Sequence, residues 1–157
     1  MSTTQSSAIK IFNPNDSLSA EVKIIDASCD NKIKEIEKYE SVTQSIRMLN
    51  CQQKNVWSQQ NRYWSMVVVG TDKSGNILFI FTRSPYSVHD FINMIVKMNI
   101  EVTQLMYLEG GPEASFFIHH KGFKIMKMGS YETDFNEDDE NQRFWEIPNI
   151  IGVRKKS

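Results

Sequence analysis

Apolar positions along the chain recur at two spacings, and the changes of spacing mark the elements. Ala8 to Phe12 alternates as a short strand does, until Asn13-Pro14-Asn15-Asp16 breaks it. Val22 to Ile25 reads as a second strand. Asp30 then caps a short helix in which Ile33, Ile36 and Tyr39 fall at three-residue spacing beside a solvated Lys/Glu face. From Ser45 to Asn50, Ile46, Met48 and Asn50 alternate with Arg47 and Leu49, which predicts a strand and leaves open which face is buried. The clearest signal lies in the middle. Trp64 to Gly70 and Ile77 to Phe81 are apolar runs on either side of Asp72-Lys73-Ser74-Gly75-Asn76, a β-hairpin with both strands mostly buried. Ser87 stands three residues before Asp90 as a helix cap, and Val88, Phe91, Ile92, Ile95 and Val96 carry the main helix through Met98.

Residues 104–109 form a strand running into Gly110-Gly111-Pro112. Strands near Ala114 to His119 and Phe123 to Lys127 follow, joined by a Lys121-Gly122 turn, and Ile147 to Val153 is expected to close the chain as a last strand. The pattern predicts an α+β fold: a mixed, largely antiparallel sheet packed against one main helix and a shorter one. Residues 1–8 are expected to be a disordered, polar N-terminus and residues 9–157 one domain, with no internal repeat.

Length and composition agree with a single core. A chain of 157 residues that is 40% hydrophobic buries roughly two-thirds of its unfolded surface. With 18 basic and 19 acidic side chains, there is no bulk attraction to a polyanion, so neither a nucleic acid nor an anionic membrane is an expected partner. No stretch approaches the ~20 apolar residues of a membrane span, and Met1 to Lys10 lacks the apolar core of a secretory signal. The chain as written therefore points to the cytoplasm. Cys29 and Cys51 have no metal spacing and read as two semi-buried thiols.

Three stretches carry candidate chemistry. In the acidic run, Asp134, Asn136 and Asp138 alternate as calcium ligands do, but Asp139 stands where such a loop needs glycine and Trp145 where it needs a bidentate acid. A solvated loop is the expectation, with a looser cation site as the alternative. In the second, Arg83 ends a strand just before a helix start, where free N–H groups and a guanidinium can hold a phosphate. His89 lies off the apolar stripe, facing a cleft or solvent, and the plainer alternative pairs Arg83 with Asp90. In the third, Glu109 and Glu113 flank two glycines after a strand, as candidates for general acid and base, or as parts of an ordinary tight turn.

These residues resemble a known family. Val69-Gly70-Thr71-Asp72 with Gly75, Ser84-Pro85-Tyr86-Ser87-Val88-His89-Asp90-Phe91, and Tyr107-Leu108-Glu109-Gly110-Gly111 occur in the order and with the gaps of the phosphodiester glycosidase family. The resemblance spans Gln44 to about Ile118. Glu109 stands where the family signature has aspartate, and Pro112-Glu113 where it usually has Gly-Ser, marking a divergent branch. Members usually carry an upstream half and an export signal, so the resemblance implies the C-terminal part of a longer fold and an exported parent protein.

What the resemblance implies is hydrolysis of a sugar joined through its anomeric carbon to phosphate. Glu109, with His89 or Asp90, would transfer protons. Arg47 and Arg83 would hold the phosphate, with Gly110, Gly111, Glu113 and Ser115 completing the binding site. The expected ligand is a carbohydrate or sugar phosphate. No cofactor is called for, while a divalent cation stays open. The alternative is a non-catalytic glycan-binding or interaction module that keeps the fold. Because Ile77 to Phe81 is apolar on both faces, an uncovered sheet edge and self-association through it are also expected.

Overall fold

The computed structural model describes residues 6–11, 22–29, 39 and 42–154. In chain order the elements are β1 (Ser6–Ile11), β2 (Val22–Asp26), β3 (Val42–Leu49), β4 (Trp64–Asp72), β5 (Ile77–Tyr86), α1 (Val88–Lys97), β6 (Val102–Gly110), a 3-10 turn (Gly111–Glu113), β7 (Ser115–His120) and β8 (Phe123–Met128). The first six strands form one sheet in the order β2-β1-β3-β6-β4-β5, and β7 and β8 form a second sheet of two strands. Every ladder among the described residues is antiparallel. The fold is α+β, as the pattern predicts.

The main sheet is built on both faces. On one, Met66, Val68 and Leu105 pack against Val88, Phe91, Ile92 and Ile95 of α1. Each of these helix side chains is fully buried, a contribution of roughly 1.5–3 kcal/mol apiece for the larger ones. Ser87 caps the helix by accepting the Asp90 N–H at 3.1 Å, the arrangement its spacing predicts. On the other face Val69 and Met106 meet Ile24, Val22, Phe79 and Ile151.

Four expectations are corrected here. β1 opens at Ser6, so residues 6–8 pair with β2 and β3 instead of belonging to a disordered tail. β5 is the sheet's edge and only half-buried, whereas β4, paired on both sides, is buried along Ser65 to Gly70. Ile147 to Val153 forms no strand. Pro148 lacks a ladder donor and Gly152 lacks a side chain, and the segment instead rests on the sheet through Ile151. Finally, Cys29 and Cys51 are joined as a disulfide, with Cα atoms 6.6 Å apart, within the usual span. The short helix expected after Asp30 lies outside the described residues.

Topology gathers several loop ends at one place. β4 starts at Trp64 opposite Tyr86, the last residue of β5, and β6 runs out at Gly110 opposite Met66. The N-terminus of α1 follows Tyr86 directly. This end of the sheet is where the third and second candidate stretches meet.

Candidate functional site

Tyr107 and Glu109 come to this end on β6, and two glycines then let other chains close in. A side chain at Gly110 would collide with the Tyr107 hydroxyl and stand 2.7 Å from Trp64 Cδ1. Gly111 takes φ +61°, and a side chain there would overlap the Glu132 carboxylate, so both the backbone angle and the space call for glycine. The glycines therefore serve close packing around a carboxylate that is remote in sequence.

Glu132 reaches that position because the segment after β8 is tied to the start of β4. Ser65 N–H donates to the Tyr131 carbonyl at 2.9 Å, Thr133 N–H to Tyr63 O at 3.0 Å, and Glu132 N–H to Asn136 O at 2.8 Å. Trp64 and Glu132 form a bridge across the gap. Half-buried beside Gly111, the Glu132 carboxyl is pushed up from the ordinary glutamate range by burial and by the negative charges of Glu113 and Glu109, against a smaller opposing pull from Arg62. Burial likewise pushes the Tyr107 hydroxyl far up, and Glu109, Glu132 and Glu113 push it the same way. Tyr107 is therefore a neutral donor throughout the physiological range. Trp57 packs on its ring, with centroids 6.0 Å apart.

The arrangement is three carboxylates, Glu109, Glu113 and Glu132, around a neutral phenol and two indoles. Glu109 is exposed and accepts the Gly110 N–H at 3.1 Å. Glu113 is half-buried, and its carbonyl accepts from the Ser115 hydroxyl at 3.1 Å. Such a site sets a half-buried carboxyl, shifted toward its neutral form, beside an exposed one, with aromatic faces lining it.

His89 and Asp90 stand at the same sheet end, on the first turn of α1. Asp90 is held by Gln59 Nε2 at 3.1 Å, by the Ser87 hydroxyl at 2.8 Å and by His89 Nδ1 at 3.3 Å. Hydrogen bonds from Gln59, then Ser87 and His89, keep its carboxyl below the ordinary range. Asn55 Nδ2 donates to His89 O and to Asn93 Oδ1, both at 3.0 Å, locking the loop before β4 onto the helix.

The two arginines go elsewhere. Arg83 donates to the carbonyls of Met128 at 2.8 Å, Asn141 at 3.1 Å and Asp139 at 2.8 Å, and pairs with the Asp139 carboxylate at 3.0 Å. It clasps the acidic run to the end of β8 rather than pairing with Asp90. Arg47 pairs with Asp26, whose side chain is 1% exposed, and donates to the Ser28 hydroxyl at 2.7 Å. On β3, Arg47 lies opposite Met106, whereas Ile46 lies opposite Tyr107, so the alternation of the strand turns Arg47 to the other face.

Sequence reasoning brought Glu109, Gly110, Gly111 and Glu113 together and missed Glu132, Tyr107, Trp64 and Arg62. Tyr107 was legible as the residue two before Glu109 on the same strand. Glu132 was hidden in a run of acids that reads as solvated surface. Among the described residues, the one group bringing three potential metal-ligand atoms within 4.8 Å of one another is Asp26, Cys29 and Cys51, and the disulfide occupies both sulfurs. No helix among the described residues is long and apolar enough to cross a membrane.

The sequence fits the model of the phosphodiester glycosidase family over residues 3–154, well beyond the stretch that carries the visible motifs. No curated protein and no solved structure matches.

Proposed function

The chain belongs to the phosphodiester glycosidase family, and from that premise we propose that its acidic sheet end hydrolyses a sugar–phosphate phosphodiester. The observation that carries the proposal is the packing of the half-buried Glu132 carboxylate against Gly111 in the Glu109-Gly110-Gly111 turn, where burial and the charges of Glu113 and Glu109 push its carboxyl up. Two carboxyl groups in unlike settings divide the work of acid and base. Glu109 takes a proton from water as the water oxygen bonds to the anomeric carbon. The bond from that carbon to the phosphate oxygen breaks with its electron pair going to the phosphate, and Glu132 supplies a proton to the departing monoester. Arg62, beside Glu132, takes the phosphate-binding role: its pair with Asp134 is long, at 3.6 Å, and exposed on both sides, whereas Arg47 and Arg83 hold Asp26 and Asp139 in tighter contacts. The reaction so written draws on side chains alone. The Cys29–Cys51 disulfide favours an oxidising compartment, in keeping with an exported protein.

A second reading has an observation of its own. Both expected phosphate-binding arginines are spent on internal contacts, which favours a glycan-binding module that keeps the fold without turnover. Hydrolysis of an activated sugar phosphodiester by the purified chain separates the two. The enzyme reading expects turnover that falls by roughly 10²–10⁴ in Glu109→Gln, the range for a lost acid–base group. Saturable sugar binding with no turnover in the unsubstituted chain would establish the module instead.

A further inference from the structure

We propose that the β7–β8 hairpin is a self-association surface, in which the open edge of β7 pairs antiparallel with β7 of a second copy of this chain. The hairpin forms a sheet of its own. β8 lies toward β5, where Arg83 takes the Met128 carbonyl, and among the described residues no strand pairs with the outer edge of β7. Such an edge presents a row of N–H and C=O groups to any strand that can reach it. At the base Phe116 packs on Phe81 of β5, with ring centroids 6.3 Å apart, but toward the tip both hairpin faces carry open apolar side chains: Phe117 is 57% and Met126 43% exposed on one, Phe123 59% and Ile118 37% on the other. A partner seated on one face would leave the other uncovered, whereas edge pairing extends both.

Charge names the occupant. Residues 114–131 carry Lys121, Lys124 and Lys127 and no acid, while residues 134–140 carry five acids and no Lys or Arg. Asp134 pairs with Arg62 and Asp139 with Arg83, which leaves Glu137, Asp138 and Glu140 outside the ion pairs among the described residues. Arg83, bonded to Met128 O and to Asp139, fixes that acidic run at the hairpin's base. A two-fold axis through antiparallel β7 strands lays the basic tip of each copy along the acidic base of the other, twice over. An anionic bilayer is the poorer fit, because it would repel the acidic run and leave the strand edge unpaired. The inference is independent of the catalytic reading.

Sedimentation of the full chain over a concentration series tests it. A dimer is expected for the unsubstituted protein. Lys121→Glu/Lys124→Glu and Glu137→Lys/Glu140→Lys should each weaken it by roughly tenfold or more, with melting curves confirming that both variants fold. Mixing the two variants should restore the dimer, since opposite charges then face each other at both contacts. A monomeric unsubstituted chain, variants that dimerise undiminished, or a mixture that stays monomeric would each overturn the proposal. Binding of the monomer to phosphatidylserine vesicles, lost in Lys121→Glu/Lys124→Glu, would assign the hairpin to a bilayer.

Discussion

Removing the Arg47 side chain should unfold the protein at a markedly lower temperature without touching the acidic site. Asp26 is almost fully buried and accepts from Ser28 N–H at 2.9 Å, the Ser28 hydroxyl at 2.6 Å and Cys51 N–H at 3.1 Å, besides pairing with Arg47. Burial pushes its carboxyl up, but the Ser28 and Cys51 hydrogen bonds and the Arg47 charge together hold it below the ordinary range. Arg47→Met keeps most of the stem and takes the guanidinium away from that buried carboxylate, a loss of at most about 3–5 kcal/mol. For a chain of this size that lowers Tm by roughly 6–20 °C. A carboxyl depressed on folding contributes stability above its unfolded value and loses it as pH falls through its folded one. The gap between parent and variant should therefore be widest near neutrality and narrow in acid. Asp26→Asn with Arg47→Met removes the buried charge as well and should recover much of the loss. Thermal unfolding across pH is the assay. A variant with the parent's Tm that no longer gains stability from inorganic phosphate would make Arg47 an anion ligand instead of the partner on which Asp26 depends.

Four further outcomes follow from the same geometry. Gly111→Ala should destabilise the fold by more than about 1 kcal/mol and lower turnover, because the methyl group meets Glu132; a Tm equal to the parent's would show that the turn is slack. Arg83→Ala should free residues 129–142, read as new proteolytic cleavage there, with phosphate-dependent stabilisation unchanged. Reduction of Cys29–Cys51, which closes a separation of 22 residues, should cost about 3 kcal/mol on loop entropy, and Cys29→Ser/Cys51→Ser should match it within error. Turnover should survive EDTA, as the proposed chemistry uses side chains; its loss on chelation and return with a divalent cation would bring a metal into the mechanism.

Elements whose signals are local were legible. The hairpin of β4 and β5, the Ser87 cap and α1 follow from runs, turn residues and helical spacing within a few residues of one another. Burial of β5 was not legible, because an edge strand and a central strand can carry the same apolar run and only the strand order separates them. The site divides in the same way. Glu109 and the glycines announce themselves as a strand end and a turn. Glu132 became visible only when the bonds from Ser65 to Tyr131 and from Thr133 to Tyr63 brought its segment back to β4. Arg47 and Arg83 look like ligand-binding cations in sequence because their partners, Asp26 and the carbonyls of 128–141, are placed by tertiary structure alone. The disulfide escaped for the same reason, its two cysteines lying on segments that only the pairing of β1 with both β2 and β3 makes neighbours.

The most direct test of the acidic end as a catalytic site is the pH dependence of kcat/KM for an activated sugar phosphodiester, measured on the parent and on Glu132→Gln. A proton donor raised by burial and by Glu113 and Glu109 predicts a high-pH limb lying above the ordinary glutamate range, absent in the variant together with most of the activity. A carboxyl raised on folding also costs stability as pH climbs through the window above its unfolded value, so Glu132→Gln should be at least as stable as the parent at neutral pH. The same limb in both proteins, with undiminished turnover in Glu132→Gln, would contradict the account.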